Sequence, residues 1–150
     1  MALDLTLLKK LREETGISIS DCRTALEDAQ GDYDKALKLL KEKAEKVAAK
    51  KADRETGQGI VETYVHGNGK IGVMVMLLCE TDFVAKTDEF KHLAHEIAMQ
   101  IAAMDPKDVD ELMSQEFIKD PSKTIEKMVK ETIQKTGENI KVQKFERYTI

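Results

Sequence analysis

Apolar residues recur at three- and four-residue spacing through the first third of the chain, and that period predicts helices over residues 1 to about 50. Asp4 stands where an N-cap belongs, ahead of a stripe made by Leu5, Leu8 and Leu11 with Leu7 beside it, and Gly16 marks the end. Ser18 and Asp21, three apart, read as an N-cap with an acidic third residue. They open a second helix whose inner stripe is Cys22, Ala25, Leu26 and Ala29. Gly31 breaks it, and Asp32 caps a third helix carrying Tyr33, Ala36, Leu37, Leu39 and Leu40. The third helix then loses its large apolar residues and becomes rich in Ala and Lys, which are good helix formers. That stretch, closed by Gly57 and Gly59, reads as a helical linker between a small module and a second domain, so the expected division is 1–56 and 57–150.

The period changes at Ile60. Residues 60–66 are β-rich, Gly67-Asn68-Gly69 is a hairpin turn signal, and residues 71–79 are apolar at nearly every position. A strand with no polar alternation is expected to be covered on both faces, here by a helix on one side and a partner subunit on the other. Thr87-Asp88-Glu89 starts a helix whose core stripe is Phe90, Leu93, Ala94, Ile97, Ala98, Ile101 and Met104, stopped at Asp105-Pro106. Residues 107–118 carry no clear period. Asp120-Pro121 reads as an N-cap followed by proline at the first helical position, predicting a helix over about 122–136 with Ile125, Met128, Val129 and Ile133 inward and Gly137 as its cap. Residues 139–150 read as a last strand. The fold class is therefore α+β: three N-terminal helices, then a β-β-α-α-β domain with a small antiparallel sheet.

Composition narrows the function. Hydrophobic residues make up 41% of the 150, enough for a packed core, while charged residues make up 35% and call for much exposed helix surface. The formal charge of −4 disfavours a general nucleic-acid binder. Cys22 and Cys79 are too few for a disulfide framework and fit a reducing compartment. The N-terminus lacks an apolar signal core, and the longest apolar run is too short to span a bilayer. A cytoplasmic protein without membrane contact is expected.

Candidate chemistry is sparse. No glycine-rich loop links a strand to a helix, so the chain should hold no nucleotide or other cofactor of its own. His92 and His95 lie i, i+3 with Cys79 upstream, but both fall off the core stripe and no second thiol joins them, so no metal site is expected. An enzyme using Cys79 with either histidine would need an electropositive setting that the end of an apolar strand does not supply. The basic stretch 41–54 could serve an RNA-binding helper, but acids interrupt it and it carries no aromatic for base stacking. Residues 81–85, Thr-Asp-Phe-Val-Ala, lie between the apolar strand and a capped helix, and Phe83 has no place on the stripe that begins at Phe90. Phe83 either folds back as a hydrophobic staple or stands out as an anchor for a partner. The residues alone leave these two readings open, and neither makes the segment an enzyme's.

The stretch Cys79-Glu80-Thr81-Asp82-Phe83-Val84-Ala85-Lys86 resembles the signature of the bacterial elongation factor Ts family. The N-terminal run is similar too, through Thr15-Gly16, Asp21-Cys22-Arg23, Ala25-Leu26, Gly31-Asp32 and Ala48-Ala49-Lys50-Lys51-Ala52, as is Gly137-Glu138-Asn139-Ile140 near the end. The resemblance implies a guanine-nucleotide exchange factor for elongation factor Tu that promotes GDP release. It implies that Thr81, Asp82, Phe83 and Val84 meet the partner's GTPase domain and disturb its Mg²⁺ and phosphate contacts. It also implies that the N-terminal helices form a ubiquitin-associated-like module with Leu11, Ile19 and Ser20 on its contact surface.

This sequence departs from the family pattern in three places. Ile19 and Ser20 stand where the family often has two methionines. Longer members repeat the core and insert a helical hairpin, whereas here only a short link separates Pro106 from Pro121. Some short members join subunits through a cysteine near the C-terminus, and here that region is Lys144-Phe145-Glu146-Arg147. The resemblance therefore implies the short branch, and a non-covalent homodimer through the core sheet is expected, with residues 71–79 covering their counterparts.

Overall fold

A computed structural model describes residues 3–150, so the first two positions of the expected 1–56 module lie outside the described residues. The N-terminal helices form where the caps predict. Asp4 accepts from the Thr6 and Leu7 amides at the start of α1 (Leu5–Thr15), Ser18 from Asp21 at α2 (Ile19–Asp28), and Asp32 from Lys35 at α3 (Tyr33–Lys51). Their inner stripes close a small core of Leu8, Leu11, Ile17, Cys22, Ala25, Leu26, Ala29, Ala36 and Leu40.

The second half of α3 is more than a linker. Ala44 and Ala48 are buried, and Ala48 with Val47 packs into the larger core of the remaining chain. The small alanine side chains let α3 lie close to α7 (Ile125–Thr136), and Lys130 of α7 reaches Glu45 at 2.6 Å. Sequence alone showed a helix poor in large apolar residues; packing of one small helix face against another explains why it is there.

The larger core is built on a three-stranded antiparallel sheet in the order β1 (Gln58–His66), β2 (Ile71–Cys79), β5 (Ile140–Thr149). One face carries Val73, Val75, Leu77 and Cys79 of β2 with Ile140 and Val142 of β5, and α5 (Asp88–Met104) packs against the sheet. Arg147, on the same face as Val73, ties β5 to the end of α5 by donating to the Ala102 carbonyl at 3.1 Å, where the helix C-terminus favours a cation. The opposite face is open: Met74 of β2 is 54% exposed and Val61 beside its neighbour on β1 is 52% exposed.

Gly59 is required where it stands. Its φ is +154°, and a Cβ there would sit 2.1 Å from the Leu77 carbonyl oxygen, on the β2 backbone. Gly59→Ala is expected to pull β1 off β2 and cost at least about 2 kcal/mol. Chemical denaturation would show the loss, and faster amide exchange along β1 would locate it.

Residues 107–118, which had no legible period, contain α6 (Val109–Ser114) and β3 (Glu116–Phe117), which forms a small hairpin with β4 (Asp120–Thr124). The helix expected from about 122 begins at Ile125, and its N-cap is Thr124, which accepts from the Lys127 amide at 3.2 Å. Asp120 is not the cap because its carboxylate turns back on Ser122, taking the amide at 3.2 Å in an Asx-type turn, while Pro121 sits within the short strand. Two buried polar residues of α5 hold the hairpin. Gln100 accepts from the Ile118 amide at 3.1 Å and donates to the Glu116 carbonyl at 3.0 Å, and Glu96 pairs with Lys119 at 2.9 Å.

Candidate functional site

The strand β2 ends at Cys79, whose thiol donates to the Thr81 carbonyl at 3.1 Å. Burial, and after it the Glu138 carboxylate nearby, push this thiol up from its ordinary value. It stays protonated, the opposite of what a nucleophile needs. The chain then leaves the sheet. Thr81, extended at φ −126° and ψ 154°, caps α4 (Asp82–Ala85), a single turn, with its hydroxyl oxygen accepting from the Val84 amide at 3.3 Å.

A single turn divides its residues by direction. Val84 and Ala85 point into the large core, so Asp82 and Phe83 point out. Phe83 is 87% exposed, which removes the staple alternative. Asp82 lies beside it at the surface, paired with Lys86 at 2.7 Å in an exposed i, i+4 bridge that adds little stability. Downstream, the Thr87 hydroxyl donates to the Val84 carbonyl at 2.7 Å and caps α5. A large aromatic and a carboxylate are thus displayed together on a turn held at both ends. Such a pairing gains from desolvation only when a partner covers it.

In the N-terminal module, Ile19 and Ser20 occupy the first turn of α2 and are exposed. Lys43 of α3 donates to Asp21 next to them, and that hydrogen bond holds the Asp21 carboxyl below the usual carboxylate range. Leu11 is different: it is 0% exposed, on the α1 stripe that faces α2 and α3. The expectation that it lies on the contact surface is corrected by its position, which makes it a core residue beneath that surface. The two surface patches belong to different cores and are connected through α3.

His92 and His95 lie on the exposed side of α5, His92 4.0 Å from Glu96 and His95 edge-on to Tyr64 with ring centroids 5.8 Å apart. Among the described residues no group of three or more His, Cys, Asp or Glu side chains is arranged to hold a metal ion. No helix among the described residues is long and apolar enough to cross a membrane.

One part of the arrangement carries no local signal in the sequence. Glu138 receives the Thr81 amide at 2.9 Å and the Thr81 hydroxyl at 2.6 Å across 57 positions of chain. The motif 137–140 marks the place, but nothing in its spacing names Thr81 as its partner.

The fold class is thus a helical module joined to an α+β core that displays an aromatic on a one-turn helix. The family model described as Elongation factor TS matches residues 80–150. The elongation factor Ts of Thermotoga neapolitana is 40% identical over 193 aligned positions, covering 100% of this chain and 98% of that protein. That of Thermotoga maritima is 41% identical, with 100% and 97% covered, and that of Coprothermobacter proteolyticus is 39% identical, with 100% and 99% covered. The aligned stretches exceed the 150 residues here, so these relatives carry segments that this chain lacks. The chain belongs to the elongation factor Ts family, and its role is that of a translation elongation factor.

Proposed function

We propose that this protein is the guanine-nucleotide exchange factor of elongation factor Tu, acting by binding and without chemistry of its own. The observation that carries the reading is Phe83, 87% exposed on the one-turn helix that follows β2, inside the segment that the family model matches. Asp82 and Phe83 insert beside the partner's Mg²⁺ site, Phe83 as the wedge and Asp82 as a carboxylate that competes for the metal, while Thr81 caps the turn and Val84, expected at the contact but buried in the core, anchors it from within. A displaced Mg²⁺ no longer neutralises the diphosphate, and GDP leaves. Residues 1–56 form the module that docks on the GTPase domain through Ile19 and Ser20, with Leu11 supporting them from within. Residues 57–150 form the core and dimerisation domain. The place of action is the cytoplasm, and no nucleic acid is contacted directly.

Exchange of this kind is a linkage effect: the factor binds nucleotide-free partner more tightly than GDP-bound partner, and GDP is weakened by the same factor. Titration calorimetry against elongation factor Tu, with and without Mg²⁺ and GDP, tests this. Tighter binding to the empty form is expected; equal affinity for both forms would overturn the reading.

The open sheet face is proposed to be the seam of a non-covalent homodimer. Val61, Val65, Met74 and Tyr148 are exposed on it, with Met76 and Leu78 half-buried alongside, and this apolar face explains why β2 shows no polar alternation. In a two-fold interface each substitution acts twice. Met74→Lys buries two ammonium groups there and is expected to raise the dimer dissociation constant roughly a hundredfold or more. Equilibrium ultracentrifugation at micromolar concentration should find the unaltered chain dimeric and the variant monomeric.

A further inference from the structure

We propose that Glu138 is a positioning residue, which sets the geometry in which Phe83 is displayed and ties that geometry to the end of α3. The proposal rests on the exchange role given to Phe83. The last residue pair of the β2–β5 ladder is Cys79 with Ile140. Beyond it the strands diverge, and side chains take over where backbone bonds stop. The Glu80 carboxylate accepts from the Asn139 amide at 2.7 Å, and the Glu138 carboxylate accepts from the Thr81 amide at 2.9 Å. Each glutamate bonds the residue that follows the other, so the two chain ends are clamped reciprocally.

The clamp controls α4. One helical turn does not persist alone, because fixing its dihedrals yields too few hydrogen bonds. Its downstream end is anchored by the buried Val84 and Ala85 and by the bond from Thr87. Its upstream end depends on Thr81. The Thr81 hydroxyl gives its proton to Glu138 at 2.6 Å and accepts from Val84 at 3.3 Å. Donating to a carboxylate makes the hydroxyl oxygen a better acceptor, so Glu138 strengthens the Thr81–Val84 capping bond, in which it takes no part itself. Glu138 itself follows Gly137, which at φ 75° ends α7, so the carboxylate projects from a fixed corner.

The same corner reaches the module. The Asn139 side chain, nearly buried, donates to the carbonyls of Ala52 at 3.3 Å and Arg54 at 2.9 Å, just past α3, while Arg54 faces Glu80 at 3.6 Å. Lys51 also donates to the Gly137 carbonyl. Residues 51–54, 80–81 and 137–139 form one hydrogen-bonded unit, so the helix that carries the module and the turn that carries Phe83 share an anchor.

The chain has no tryptophan, so Phe83→Trp places a single fluorophore at the displayed position. In that background, Glu138→Ala and Thr81→Val should each lower the residual anisotropy of the indole about twofold at unchanged far-ultraviolet circular dichroism, as expected when a charge-assisted bond pair is lost. Glu138→Gln, which keeps an oxygen for the Thr81 amide, should fall between. With native Phe83, Glu138→Ala should lower the maximal rate of GDP release from elongation factor Tu about tenfold and change the half-saturating concentration less than about threefold. In a Phe83→Ala background the same change should have at most about a twofold effect. Unchanged anisotropy in both the Glu138→Ala and Thr81→Val proteins, or a full tenfold loss in the Phe83→Ala background, overturns the proposal. Failure of the unaltered chain to stimulate release would instead remove the exchange role, and the anisotropy would still decide whether the clamp holds the segment.

Discussion

Phe83→Ala is expected to slow GDP release from elongation factor Tu by at least about 30-fold while leaving the fold intact, since truncating a central aromatic anchor typically costs 2 kcal/mol or more of binding. The ring touches little of its own protein: it is 87% exposed, and the residues that hold the turn in place are Thr81, Val84, Ala85 and Thr87. Removing it therefore takes little away from the free protein, and the unfolding free energy should change by less than about 0.5 kcal/mol. Separation of the two readouts is the important outcome. A parallel fall in stability and exchange would mean that Phe83 serves its own fold.

Phe90→Ala should give the reverse. Phe90 lies seven residues on, at 0% exposure, in the first turn of α5 within the large core. Truncating a fully buried phenylalanine leaves a cavity and is expected to cost about 3–5 kcal/mol. In a chain of this size that corresponds to a fall of roughly 6–20 °C in the thermal midpoint. Below that midpoint, and at protein concentrations that keep the chain folded, exchange should stay within about threefold of the unaltered protein because Phe90 presents nothing to a partner. Two phenylalanines in one short segment thus separate function from stability, and differential scanning calorimetry beside the exchange assay reads both.

How much of this was legible beforehand depended on the range of the interactions involved. The helix starts at Asp4, Ser18, Asp32 and Thr87 were readable because each cap bonds an amide two or three residues ahead. The cap of α7 was not, because Asp120-Pro121 offers the same local signal as a true start while Asp120 is engaged in its own turn with Ser122. The one-turn α4, the short α6 and the two-residue β3 have too few positions to show a period at all. The β2 sequence correctly announced two apolar faces, but only the structure divides them into a core face under α5 and an open one.

The site was legible to a similar depth. Phe83 stood out because it had no place on the stripe that begins at Phe90, and its exposure follows from the direction of one turn. Leu11 had been placed on a contact surface by resemblance, although its own spacing with Leu8 already put it on the inner stripe; the periodicity was the better guide. The parts that hold the segment, Glu138 and Asn139 on one side and Glu80 and Arg54 on the other, could not be paired from the sequence. Their partners lie tens of residues away and meet only because β2 and β5 end together.

The most direct test of the exchange role is the release of labelled GDP from elongation factor Tu, followed in the presence of excess unlabelled nucleotide and a small fraction of one equivalent of this protein. A factor that binds, displaces and leaves should accelerate release of all the bound GDP at that substoichiometric level, and added Mg²⁺ should oppose it. Release at the spontaneous rate with the unaltered chain, or equal acceleration by Phe83→Ala, would contradict the account.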